Sequence, residues 1–143
     1  MFIGEFNHSI DPKGRVAVPF RLRKALGKGA VITRGLDNCL TIYTESEWNR
    51  IAKKLNELPM TNPKVRAFSR FMFSGAVEVG FDRQGRILVP EYLRQYAKLK
   101  SQAVVAGLYN KIEVWEPVAW DKTKAKTETD KSDIAKQLEG LGI

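Results

Sequence analysis

The sequence has one cysteine and one histidine in 143 residues, and these two scarcities exclude several kinds of protein at once. With Cys39 alone, no intramolecular disulfide can form. With only His8 beside it, no Cys/His zinc cage can be assembled within one chain. Cys39 lies in the apolar run NCLTIY and is expected as a small core side chain. His8 occupies an alternating position of a first strand, with no Ser or Cys nucleophile in a recognisable motif near it, and is expected as a packed or surface imidazole. No apolar run approaches the roughly 20 residues that cross a bilayer, and the opening MFIGEFNH lacks the basic and long apolar regions of a secretion signal, so no membrane partner is expected. LGKGAV is not the GxxxxGK[ST] phosphate loop. Carboxylates are present, but none comes with a metal motif, a cleft signature or a nucleophile. The reading is therefore no enzyme, no cofactor and no small-molecule substrate.

What is present is an ordinary globular composition, 43% hydrophobic and 28% charged, carrying a net charge of +8. The charge is unevenly spread. Residues 1–75 hold 13 basic and 6 acidic side chains, whereas residues 76–143 hold 11 and 10. Between Asp11 and Asp37 there is no acid, while Lys13, Arg15, Arg21, Arg23, Lys24, Lys28 and Arg34 follow one another. Such a field is the electrostatic footprint of a polyanion binder, or else a basic face kept for solubility.

The chain also repeats itself. DPKGRVAVP at 11–19 returns as DRQGRILVP at 82–90, an offset of 71, and Phe2-Ile3-Gly4 matches Phe73-Ser74-Gly75 at the same offset. Each turn leads to a short apolar strand closed by Pro, then to a two-turn helix, FRLRKALG or EYLRQYAKL, that Pro can open and Gly27 can stop. A hairpin follows in each copy at an offset of 72, with Asn38 and Asn110 in its turn, and then Trp48 or Trp120 near the start of a further helix. Between the copies, Ser46 is expected to cap a helix with Trp48, Ile51, Leu55 and Leu58 on one face, and Asn62-Pro63 to open another. The C-terminal segment reads as a helix plus a frayed tail. The units are 5–47, 48–75, 76–119 and 120–143. Each repeat is near the size below which a domain rarely stabilises itself, so the two are expected to complete each other's sheet around one shared core. The fold class is mainly β with short helices (α+β).

Asp-x-x-Gly is the signature of a type I turn, and with Gly as a bulge it sets Asp11 opposite Arg15 and Asp82 opposite Arg86. A lone turn of this kind would be a hairpin clamp. Two of them, related by duplication, offer two arginines to the pseudo-symmetric backbone of a duplex, whose major groove admits a β-ribbon. The alternative from another class is an oligomeric scaffold whose turns meet an acidic protein. In it AFSRFMFSG (Phe68, Phe71, Met72, Phe73) would pack either between subunits or into the chain's own core.

MFIGEFNHSIDPKGRVAVPFRLR, TRGLDNCLTIY, FSGAVEVGFDRQGR and the doubled D-x-x-G-R together resemble the MraZ family of bacterial regulators. That resemblance implies tandem AbrB-like swapped-hairpin units sharing one pseudo-dimeric β-barrel core. It also implies a cytoplasmic, nucleoid-associated homo-oligomer, a ring, that binds double-stranded DNA at short tandem repeats upstream of its own division and cell-wall operon, usually repressing it. The family's motif falls on Asp11, Gly14 and Arg15 and on Asp82, Gly85 and Arg86, with neighbouring Lys13 and Arg83 as phosphate or groove contacts. Arg21, Arg23 and Lys24 would add non-specific attraction.

Overall fold

A tight turn sends the chain back on itself, and a strand of three residues leaving that turn cannot hold a sheet alone. In the computed structural model, which describes all 143 residues, that strand pairs with its counterpart from the other repeat. β1 (Phe2–Ser9) enters the first turn and β2 (Arg15–Ala17) leaves it. Then follow α1 (Phe20–Leu26), the hairpin β3 (Gly29–Arg34) and β4 (Leu40–Thr44), and α2 (Glu45–Asn56). After α3 (Pro63–Gly75) the series recurs as β5 (Val77–Gly80), β6 (Arg86–Leu88), α4 (Glu91–Tyr96), β7 (Gln102–Tyr109), β8 (Ile112–Trp115) and α5 (Pro117–Gln137).

Six strands form one antiparallel sheet in the order β1-β7-β8-β4-β3-β5, and β2 and β6 form a separate ribbon. The order is unchanged when the repeats are exchanged. β1 of the first repeat lies on β7 of the second, and β5 of the second lies on β3 of the first. A pseudo-twofold axis passes through the facing residues Thr41 and Glu113 of β4 and β8 and through Val16 and Ile87 of β2 and β6. Both pairs are related by the repeat offsets of 72 and 71. The crossing is reciprocal in its backbone bonds: Val18 N–H donates to the Gly85 carbonyl at 3.2 Å and Val89 N–H to the Gly14 carbonyl at 3.0 Å. This is the swapped, tandem α+β architecture expected. The ribbon lies against both β1 and β5, the two edges of the large sheet. One core is enclosed between them, with Val16, Leu22, Ile32, Leu40, Ile42, Ile87, Val89, Leu93, Val105, Ile112 and Val114 all at 1% exposure or less.

Local expectations meet the structure in several places. The C-cap of α1, Gly27, has φ of 80°; α4 is capped by Ala97 at φ −87°, and Lys98, the counterpart of Gly27, takes φ of 55° one residue later. The cap of α2 is Thr44, whose hydroxyl accepts the Glu47 N–H at 3.1 Å; Ser46 lies one step inside the first turn. Thr44 wins because it is three residues before Glu47, the spacing a capping side chain needs. Asn62 caps α3 as expected, accepting the Lys64 N–H at 2.9 Å with Pro63 next to it. Trp48, Ile51 and Leu55 pack with Tyr43, Phe68, Phe71 and Met72 in a satellite core, while Leu58 is exposed. The match of Phe2-Ile3-Gly4 to Phe73-Ser74-Gly75 falls on a strand in one copy and the end of α3 in the other. Structural equivalence therefore begins later than the sequence likeness. The aromatic pairs Tyr43–Trp48 and Trp115–Trp120 are equivalent, with centroids 6.0 and 5.5 Å apart, and make α5 the counterpart of α2.

Candidate nucleic-acid interface

The two turns are built alike, bond for bond. Gly14 N–H donates to the Asp11 carbonyl at 2.9 Å and Asp11 N–H to the Arg15 carbonyl at 3.1 Å; the bonds from Gly85 and Asp82 are each 3.0 Å. This is a type I turn followed by a bulged glycine, with φ of 91° at Gly14 and 73° at Gly85, values that disfavour any side chain. Each aspartate binds its own loop through Oδ1. Asp11 accepts from Lys13 N–H (3.0 Å) and Arg15 N–H (2.9 Å), and Asp82 from Gln84 and Arg86 N–H (both 2.9 Å). The N–H of Arg15, ahead of its guanidinium, holds the Asp11 carboxyl below the usual carboxylate range, and Arg86 N–H does the same for Asp82.

Through Oδ2 each carboxylate also takes the Nε of its arginine, Arg15 on Asp11 and Arg86 on Asp82, the latter at 2.9 Å. Arg86 Nη1 reaches across to Asp11 Oδ2 at 3.3 Å, which brings the two turns together at the pseudo-axis. An arginine held by Nε keeps its Nη groups available, and this is the fork that matches the O6 and N7 edge of guanine or two phosphate oxygens. Arg15 keeps both Nη groups uncommitted to Asp11, whereas Arg86 has given Nη1 to it.

Each helix after the swap lies over the other repeat's turn. A Cβ built on Gly14 would come 2.6 Å from Arg94 Nε, and one built on Gly85 would collide with the Arg23 guanidinium. Arg23 and Arg94 are equivalents at the offset of 71. Arg94 Nε donates to the Val89 carbonyl at 3.0 Å, and Arg23 sits over the exposed Phe20 ring at 5.3 Å. Arg94 is the residue that reading the sequence missed. Aligning LRK at 22–24 with LRQ at 93–95 was the available signal.

The residues expected from the sequence are thus gathered in one region. Asp11, Arg15, Asp82 and Arg86 meet at the axis, and Gly14 and Gly85 are buried under Arg94 and Arg23. Lys13 and Arg83 stand exposed at the tips, and Arg21 and Lys24 are exposed on α1. Cys39 is fully buried, and burial, then the charge of Glu113, pushes its thiol up to about 12. His8 is half-buried with Nε2 unpartnered. No three His, Cys, Asp or Glu side chains are placed to hold a metal ion, and no helix is long and apolar enough to cross a membrane.

Against known proteins, the family model described as "MraZ protein, putative antitoxin-like" matches this chain twice, over residues 1–71 and 72–140. The chain is 46% identical over 143 residues to the "Transcriptional regulator MraZ" of Alkaliphilus oremlandii, covering all of both chains. It is 47% identical over 141 residues to the protein of the same name from Desulforamulus reducens, covering 99% of each. Two copies of the family's domain, side by side along a chain whose turns, glycines and crossing helices also come in two copies, place this chain in the MraZ family.

Proposed function

We propose that the chain is a DNA-binding transcriptional regulator with no catalytic chemistry, whose paired turns enter the major groove of double-stranded DNA. The observation that carries this reading is the meeting of Arg15 and Arg86 at the pseudo-axis, each fixed through Nε by a turn carboxylate. Relatives of full length named as transcriptional regulators support it. Arg15 and Arg86 read bases or bridge phosphates, Asp11 and Asp82 orient them, and Gly14 and Gly85 let the helix arginines close over the turns. Lys13 and Arg83 fix position on the backbone, and Arg21, Arg23 and Lys24 add attraction that is blind to sequence. The hairpin clamp and the reading device are then one arrangement, because the carboxylate that braces the guanidinium also aims it.

In the same reading the molecule works as a homo-oligomeric ring on short tandem repeats upstream of its own division and cell-wall operon, repressing it in the nucleoid. The units 5–47, 48–75, 76–119 and 120–143 are proposed as two DNA-facing repeats, a connecting helical pair and a C-terminal extension. The test compares a duplex from upstream of the chain's own gene with a scrambled duplex of equal composition, at near-physiological salt. The native duplex is expected to bind tightly and the scrambled one weakly. Arg15→Ala should cost about 1–3 kcal/mol and relax preference at one position, while Lys13→Ala should weaken all sequences alike. Equal binding to both duplexes by the unaltered protein would leave the turns as structural clamps and favour an acidic protein as the partner.

A further inference from the structure

The turn motif accounts for two of the four arginines that meet at this interface, Arg15 and Arg86. The other two, Arg23 and Arg94, come from the helices and lie on the turn of the opposite repeat. Both are half-buried, and neither belongs to any of the chain's ion pairs. Taking a guanidinium partly out of water with no carboxylate to meet it is a cost, and the fold bears it twice at equivalent places.

Arg94 is the more closely held of the two. Val89 N–H donates to the Gly14 carbonyl at 3.0 Å, and the Val89 carbonyl in turn accepts Arg94 Nε at 3.0 Å, which brings the guanidinium back over Gly14. A Cβ built there would stand 2.6 Å from Nε, 2.7 Å from Cζ and 3.0 Å from Nη2. Contact this close asks for glycine a second time, independently of the φ of 91°. The Nε bond is the only hydrogen bond of the Arg94 side chain, which leaves Nη1 and Nη2 for an acceptor outside the chain. A residue that only braced the turn would spend those groups on its carbonyls. Those of Asp11 and Gly14 are instead taken by Gly14 and Val89 N–H. Arg94 also lines an open cleft of about 810 Å³ with Lys98 and Lys100. The two acids there are engaged, Glu91 with Gln95 at 3.3 Å and Glu116 with Val118 and Ala119 N–H at 3.0 and 2.8 Å.

Resting on the DNA-binding reading above, we infer that Arg94 is a phosphate-binding residue of the first turn, seated on Gly14 and aimed by the Val89 carbonyl. Gly14 adjoins Arg15, so the phosphate that Arg94 holds borders the groove that Arg15 enters. A guanidinium anchored through Nε with both Nη groups free takes two phosphate oxygens at once. Arg23 has the corresponding seat on Gly85, with the Phe20 ring at 5.3 Å in place of the carbonyl. Each turn's base-facing arginine therefore comes from its own repeat and its phosphate-facing arginine from the other.

The test follows binding of the full chain to the upstream duplex and to its scrambled counterpart between about 50 and 200 mM salt. Arg94→Gln should weaken both duplexes by one common factor. It should also lower the log–log salt slope by about 0.9, the value for one phosphate, so that the loss is roughly 3.5-fold larger at the low-salt end. Arg94→Lys, which keeps the charge, should restore the slope. Lys136→Gln removes one charge near the exposed end of α5 and should leave the slope alone. Gly14→Ala should lower the slope as Arg94→Gln does, and the double variant should fall no further than either. Urea unfolding shows which proteins are folded, and the two Arg94 variants decide the matter if Gly14→Ala is not. An unchanged slope in Arg94→Gln, or an equal loss in Arg94→Lys, would make Arg94 a brace and overturn the inference. A further drop in the double variant would overturn the seat on Gly14. Equal binding to both duplexes by the unaltered protein would sink the sequence-reading proposal, while the Arg94 slope still decides the phosphate contact.

Discussion

Asp11 accepts hydrogen bonds from its own loop, from the Nε of its own arginine and from the arginine of the other repeat, whereas Asp82 serves only its own turn. Replacing Asp11 by Asn should therefore loosen both arginines, and replacing Asp82 should loosen one. The expected order of DNA affinity is unaltered protein, then Asp82→Asn, then Asp11→Asn, and equal losses from both substitutions would show that the 3.3 Å bridge does not couple the turns. Both carboxyls sit below their ordinary range in the folded chain, chiefly because of the N–H groups of Arg15 and Arg86. The stability they add is complete above the unfolded carboxyl value of about 3.9 and disappears as pH falls through their lower folded values. Urea unfolding followed from pH 6 to pH 2 should show an acid limb below about pH 4. That limb should shrink in Asp11→Asn/Asp82→Asn and not vanish, because Glu5, Glu47 and Glu116 are lowered too. A double variant with an unchanged limb would move the acid sensitivity to those glutamates. Gly85→Ala meets both a positive φ and the Arg23 guanidinium, and should cost about 1 kcal/mol or more, read by chemical denaturation.

Among the elements, α2 carries the sharpest local test. Its cap bond runs from Glu47 N–H to Thr44, so Thr44→Ala should lose about 1 kcal/mol of stability while Ser46→Ala stays within about 0.5 kcal/mol. The reverse ranking in thermal or urea unfolding would return the cap to Ser46. α1 and α4 have seven and six residues, too few to persist alone. They are held by Leu22, Leu26 and Leu93, buried in the shared core. The same anchoring sets Arg23 and Arg94 over the turns, so packing of the apolar face positions the basic one. α5 buries no residue and is tied to the body near its start, where Trp120 Nε1 donates to Glu5 at 2.6 Å and Lys124 Nζ to the same carboxylate at 2.8 Å.

For the molecule taken whole, the swap means that neither repeat owns a complete sheet. Separate chains of 1–75 and 76–143 should be unfolded alone by circular dichroism and regain structure when mixed. A folded fragment would contradict the shared core. Ile87, 1% exposed and facing Val16 on the pseudo-axis, belongs to both repeats at once. Ile87→Ala should cost about 2–5 kcal/mol and lower a single unfolding transition, not split it in two.

Much of this was readable along the chain, because it depends on neighbours in sequence. The Asp-x-x-Gly turns, the prolines that close β2 and β6, the Asn62-Pro63 helix start and the stripe Trp48-Ile51-Leu55 all express short-range sterics and periodicity. Duplication at offsets of 71 and 72, with repeats too small to stand alone, also required a shared core. Which strand meets which was another matter. Pairing β1 with β7 sets Phe2 beside Tyr109, and pairing β5 with β3 sets Gly80 beside Gly29, choices that turn on burial no local window contains. For the same reason Phe2-Ile3-Gly4 and Phe73-Ser74-Gly75 could match as text and differ as structure, one a strand and one a helix end. Arg94 stayed hidden because its role comes from the turn it covers, Gly14, which lies 80 residues earlier and becomes its neighbour only after the crossing. Charge, turn and repeat were properties of the chain. Their placement over one another came from the long-range pairing that buries the two repeats' common core.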